Sequence, residues 1–216
     1  IGVDFGLTDL VVTSDGVKHS ADWINQYREK RQKVRSSIQA KADTSKRSTR
    51  RNCRRLSKRL SGKERTTATI LNHTISKSLV QSAKEQGKGI AIEDLTNIRF
   101  TSKRRNKKFR TKLGRWNFGQ LRSFLEYKSL LNGVQLVVVE HRYTSQTCSS
   151  CFHIGKRTNK VFKCVNNKCE VDVLDADYNA SLNIASLGRA YVNHAGKSTM
   201  YCSLHSYSGL KPIPSL

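Results

Sequence analysis

Acidic side chains are scarce in this sequence: 16 Asp and Glu face 40 Lys and Arg over 216 residues, leaving a formal charge of +24. A compact chain so charged repels itself unless a polyanion neutralises it, and nucleic acid is the commonest one. A ribosomal or merely very soluble basic protein is the plainer alternative. Proline is nearly absent, with two residues, while 37% of the chain is hydrophobic. That balance points to a folded domain with long polar helices rather than a disordered tail. No apolar run approaches the roughly 18 residues of a membrane span, so no membrane partner is expected. No signal peptide is visible among these residues, and the first of them is not Met. The sequence opens on Ile1-Gly2-Val3-Asp4, inside what reads as a strand, as expected for a piece of a longer protein. Cysteines are too clustered for a disulfide framework. Cys148, Cys151, Cys164 and Cys169 fall within 22 residues, while Cys53 and Cys202 stand apart as ordinary thiols. The clustered four read as metal ligands in a reducing, cytoplasmic setting.

The chain opens with three short strands, Ile1–Phe5, Leu10–Thr13 and Val17–Ser20, the last two joined by the turn Ser14-Asp15-Gly16. Residues 23–65 hold sixteen Lys or Arg and read as long, basic, mostly helical structure, disordered in part. Leu71, Ile75, Leu79 and Ala83 recur every four residues and predict a helix over 66–86, ended by Gly87 and Gly89. Ile90–Leu95 is a short apolar run ending in acids, as a buried strand with a functional end would be. Residues 101–112 carry seven cations and no acid and read as a flexible basic loop. Trp116, Leu121, Phe124, Leu125 and Leu131 mark another helix, and Val134–Val139 a valine-rich strand. Tyr178–Leu187 reads as a final helix with Leu182, Ala185 and Leu187 inward; from about 191 to 216 there is no strong periodicity. No internal repeat is found. The order predicts an α/β fold with a mixed sheet.

Three acids occupy suggestive places. Asp4 lies near the end of the first strand, Glu93 at the end of the strand after the long crossover, and Asp177 at the start of the last helix. If strands 1–5 and 90–93 are neighbours, Asp4 and Glu93 meet and the helix delivers Asp177 from the side. Phosphodiester hydrolysis uses such carboxylates to hold two Mg²⁺ ions about 3.5–4 Å apart. The plainer readings stand beside this: a turn Asp, a helix-capping Asp177, and a surface pair at Glu93-Asp94.

The cysteine pattern is C-x₂-C-x₁₂-C-x₄-C, close to a zinc ribbon, in which four thiolates leave no position for a catalytic water. The zinc would therefore be structural and would fold a module too small for its own core. His153 is an alternative ligand and a redox CxxC a competing reading.

Four stretches resemble the TnpB family, transposon-encoded, RNA-guided nucleases related to the type V CRISPR effectors. They are Ile1-Gly2-Val3-Asp4-Phe5-Gly6, Gly89-Ile90-Ala91-Ile92-Glu93-Asp94-Leu95, Tyr143-Thr144-Ser145-Gln146-Thr147-Cys148-Ser149-Ser150-Cys151 and Asp175-Ala176-Asp177-Tyr178-Asn179-Ala180-Ser181. The resemblance runs from residue 1 to about 188. It implies an RNase H-like, RuvC-type mixed sheet with helices and an inserted zinc ribbon. Its three acidic motifs fall on Asp4, Glu93 and Asp177, with Asp177 preferred over Asp175 because the family's acid directly precedes the x-Asn-Ala element. The ribbon falls on Cys148, Cys151, Cys164 and Cys169. The resemblance further implies catalytic Mg²⁺, structural Zn²⁺, a guide RNA and a DNA substrate chosen by base pairing beside a short flanking motif. The expected organisation is a nuclease core over 1–142 with a basic helical insertion at about 23–87, a ribbon over 143–173, the core's last helix over 174–190, and a tail of unknown role over 191–216. The sequence departs from the family in three ways. It opens on the first acidic motif, where the family has a guide- and target-binding region. Phe152 follows the first knuckle where glycine is common, and the Cys164–Cys169 spacing is wide. The competing function is a non-catalytic, transposon-derived nucleic-acid binder; a basic zinc-ribbon protein of the translation apparatus is a third, predicting no acidic cluster.

Overall fold

A computed structural model describes residues 1–96 and 106–193. Strands β1 (Gly2–Asp4), β2 (Asp9–Thr13) and β3 (Lys18–Ser20) open the chain as a meander. Helices α1 (Asp22–Asp43) and α2 (Arg47–Glu85) follow, then β4 (Ile90–Glu93), α3 (Lys107–Arg115), α4 (Phe118–Asn132) and β5 (Leu136–Val139). A second sheet holds β6 (Lys156–Thr158), β7 (Val161–Lys163) and β8 (Val173–Asp175), and β8 runs directly into α5 (Ala176–Asn193). The five-stranded sheet has the order β3-β2-β1-β4-β5. β1 is antiparallel to β2 and parallel to β4, and β4 is parallel to β5, so the sheet is mixed as the sequence predicts.

Strand alternation sorts the sheet into two faces. Val3, Leu10, Val11, Ile90 and Ile92 pack with Ile24 of α1, Ile75, Leu79, Val80 and Ala83 of α2, and Leu121 and Leu125 of α4. The other face carries Ala91, Val137 and Val139 against Ile184 and Leu187 of α5. Helices thus cover both faces, which explains why β1 and β4 are buried at every residue. The α5 contact is unusually close. A Cβ on Gly2 would lie 2.0 Å from the Ser181 carbonyl oxygen, and one on Gly188 2.4 Å from Cβ of Ala91. Glycine lets the helix backbone touch the sheet backbone at Gly2 and the Ala91 methyl at Gly188.

The structure differs from the sequence reading in several elements. The basic stretch 23–65 is helical on both sides of a short break at residues 44–46, and the helix expected over 66–86 is the C-terminal half of the 39-residue α2. The basic loop expected over 101–112 is helical from Lys107 onward; residues 101–105 lie outside the described residues. The Asn106 side chain starts α3 by accepting from the Phe109 amide at 2.8 Å. Trp116 is buried just before α4 rather than within it, and Leu131 is exposed. Leu182 and Ala185 are only half-buried; Ala180, Ile184, Leu187 and Ala190 face the core. The last helix continues to Asn193, while residues 194–216, with Cys202, lie outside the described residues. Among the described residues no helix is long and apolar enough to cross a membrane.

Candidate active site and metal centre

The parallel register of β1 and β4 sets Gly2 beside Ala91 and Val3 beside Ile92. One residue further, Asp4 and Glu93 stand side by side at the ends of adjacent strands. Alternation turns both toward the face that α5 covers. Asp177 sits in the first turn of that helix, where the backbone amides favour a negative charge. All three acids are buried. Burial, then the charges of Glu93 and Asp177, raise the Asp4 pKa well above the usual carboxylate range, with Arg157 opposing. Burial also raises Glu93 to about 7, with Asp177 adding and the Thr144 hydrogen bond and Arg157 opposing. Three carboxyls so placed repel one another, and a hard cation would relieve that repulsion.

The plainer readings of the acids can be judged residue by residue. The helix cap is Asp175, not Asp177: its Oδ1 accepts from the amides of Asp177 and Tyr178, each at 3.0 Å. Glu93 and Asp94 are not a surface pair. Glu93 is buried, whereas Asp94 turns outward to Thr96 and to Arg122 at 3.2 Å.

Residues to which the sequence assigns no role complete the site. Arg157 of β6 donates from Nη2 to Asp177 Oδ1 at 2.7 Å, bringing a guanidinium from the small sheet into the acidic cluster. Thr144 donates from its hydroxyl to Glu93 Oε1 at 2.5 Å. Lys18 pairs with Asp175 at 2.8 Å, and Lys160 pairs with Asp9. Each crosses from one sheet region to another, a relation that spacing along the chain cannot reveal.

The four thiols of Cys148, Cys151, Cys164 and Cys169 lie within 4.8 Å of one another. The Cys148–Cys169 sulfurs are 3.8 Å apart and the Cys151–Cys164 pair 3.6 Å. A tetrahedron with Zn–S bonds of about 2.3 Å has S···S edges of about 3.8 Å, so the donor set fits such an ion. The wide Cys164–Cys169 spacing is accommodated by local turns. The Asn166 amide donates to the Cys164 sulfur and the Val171 amide to the Cys169 sulfur, both at 3.4 Å. His153 is exposed and its Nδ1 meets the Cys151 carbonyl at 3.0 Å, outside the thiol cluster. Phe152 adopts φ 60°, the left-handed conformation that explains glycine's usual place there. Its ring packs beside the Val137–Ile184 patch.

The comparisons agree with this architecture. A family model, the TNB domain of Cas12f1-like proteins, matches residues 118–184. A TnpB-like protein of Methanocaldococcus jannaschii is 36% identical over 125 residues, covering 57% of this chain and 44% of that protein. A CRISPR-associated endodeoxyribonuclease, Cas12f2, of a Micrarchaeota archaeon is 36% identical over 121 residues, 52% of this chain and 22% of its own length. The chain therefore spans less than half the length of these curated relatives. A cryo-EM structure of a CRISPR–Cas12f ternary complex superposes with a TM-score of 0.68 at 22% identity, covering 85% of this chain and 37% of that one. That likeness concerns the fold. In the matched family model, in these relatives and in four motifs in order, the chain is similar to TnpB-like and Cas12f proteins.

Proposed function

We propose that this chain is the RuvC-type, RNase H-like nuclease portion of a TnpB-type, RNA-guided DNA endonuclease. The observation that carries the reading is the register that sets Asp4 and Glu93 side by side at the ends of adjacent parallel strands, buried on the face where Asp177 opens α5. Maintaining such a cluster costs stability, and a cation-binding role explains its retention. Asp4, Glu93 and Asp177 would hold Mg²⁺. When bound in pairs, such ions supply an activated water and a stabilised leaving oxygen for phosphodiester hydrolysis. The chain's own groups prepare the rest. Thr144 fixes one oxygen of Glu93 and leaves the other free. Arg157 holds a positive charge beside Asp177, where it can meet a phosphate's charge. The excess of cations over acids supplies the field that collects DNA and guide RNA.

In this reading residues 1–142 and 174–190 form the nuclease core and 143–173 a ribbon whose four cysteines hold structural Zn²⁺. The thiol cluster fits a reducing, cytoplasmic compartment. The test uses the full-length protein purified with its RNA and supplied with matching DNA and Mg²⁺. Wild-type protein is expected to cut and Asp4→Ala to bind without cutting. Normal cutting by Asp4→Ala overturns the assigned triad; binding without cutting by the wild type returns the chain to a non-catalytic nucleic-acid binder.

A further inference from the structure

The first turns of α1 carry an aromatic pair that the carboxylate cluster does not use: Tyr27 packs half-buried against the core, and Trp23 stands outside it. Trp23 is 61% exposed. Its ring stacks on Tyr27 with centroids 5.9 Å apart and planes 16° from parallel. The Arg31 guanidinium lies over the Tyr27 ring at 5.0 Å. Positions 23, 27 and 31 share one helix face, so the three planar groups form a ladder rising about 12 Å along α1. Tyr27 packs against the core, which holds the ladder in place before any ligand arrives.

Its location gives the ladder a direction. β3 is the second strand from β1, about 10 Å away. Its last residue, Ser20, pairs with Asp9, beyond the level of Asp4 on β1. The α1 helix therefore starts at the carboxylate end of the sheet, and the ladder leads away from it. Its setting is cationic: residues 23–65 hold sixteen Lys and Arg against three acids. A flat, exposed ring in a cationic field is the recurring platform for unpaired bases, whose faces are free only in a single strand.

We infer that Trp23, backed by Tyr27 and Arg31, is a stacking platform for a base of single-stranded DNA on its way to the carboxylate cluster. The choice of DNA rests on the nuclease reading above; the platform's geometry does not. Duplex DNA keeps its bases stacked on one another and is excluded from this contact.

Intrinsic fluorescence tests it directly, because Trp116 is buried and Trp23 reports on ligand. The chain is titrated with oligo-deoxythymidine with no magnesium added, so cutting does not enter the readout. Expected results are quenching by the single strand and little by duplex of equal length. Trp23→Ala should weaken single-strand affinity roughly tenfold, measured by anisotropy of a labelled oligonucleotide. Trp23→Phe should bind within about threefold of wild type while losing the quench. Unchanged affinity in Trp23→Ala overturns the platform, as does equal quenching by duplex. Quenching by single-stranded RNA but not DNA overturns the assignment to DNA. These outcomes are independent of the cutting assay with Asp4→Ala, so either reading can fail alone.

Discussion

Neutralising Glu93 should make the protein more stable and leave it unable to cut. Burial raises the Glu93 pKa from its ordinary 4.5 to about 7. Below pH 4.5 both folded and unfolded chains carry the proton, and Glu93 makes no difference. Between pH 4.5 and 7 the unfolded chain ionises while the fold retains the proton, so stability falls as pH rises. Above pH 7 the penalty is complete, about 3 kcal/mol at about 1.4 kcal/mol per pKa unit. Asp4 shifts in the same direction, partly because of Glu93, so the wild-type slope is steeper than one group alone would give. In Glu93→Gln the amide oxygen still accepts from Thr144, and the new NH₂ can donate to the neighbouring carboxylates. The variant should therefore gain up to about 3 kcal/mol at pH 8, or roughly 6–12 °C in Tm, and little at pH 4. Thermal unfolding from pH 4 to 8, with zinc saturating, measures this. Added Mg²⁺ should raise the wild-type Tm and raise the variant's much less. A variant no more stable than wild type at pH 8, or with the same pH slope, refutes the account of a buried, repelling cluster.

Arg157→Gln removes a cation that opposes the raised pKa of Glu93 and Asp4, so its destabilisation should grow from pH 5 to pH 8, the opposite of Glu93→Gln; a pH-independent loss would show that Arg157 acts only through packing. Purified chain should contain one zinc per molecule by elemental analysis, and Cys164→Ser should lose it together with the near-ultraviolet signal of the small sheet. Gly2→Ala forces a Cβ against the Ser181 carbonyl and should cost about 3 kcal/mol or more by urea unfolding. Gly62→Ala, mid-helix in α2 with open space around it, should instead gain about 0.5–1 kcal/mol.

The acids were legible in the sequence because each sits where an element ends, and element ends are what apolar runs reveal. Parallel pairing of β1 and β4 then follows from a long crossover between them. The TnpB motifs supplied the order. The roles of Arg157 and Thr144 were not legible: Arg157 comes from a segment with no periodicity, Thr144 lies in the knuckle motif without a role that spacing reveals, and both depend on how the small sheet docks. The helix from Lys107 was obscured by its own cations, which read as solvated loop although Asn106 caps it and Leu113 is buried. Of the residues expected inward on α5, Leu187 is buried and Leu182 and Ala185 half-buried; the closest contacts of this helix are made by small residues, Ser181, Ala185 and Gly188, which apolar periodicity does not mark.

The same docking explains why a thiol cluster and a carboxylate cluster occur in one short chain. Asn183 donates to the carbonyl oxygens of Thr144 and Thr147, and Asn179 donates to that of Thr147 while accepting from the Ser149 amide. These bonds tie α5 to the knuckle that carries Cys148. Thr144, on that same segment, holds Glu93, and Arg157, on the small sheet, holds Asp177. Two of the three acids are therefore positioned by residues whose backbone the cysteine cluster organises. If the four thiols hold zinc, its loss would free Arg157 and Thr144 together, leaving Glu93 and Asp177 without their restraints. Such an ion would set the geometry of a distant acidic site without touching it.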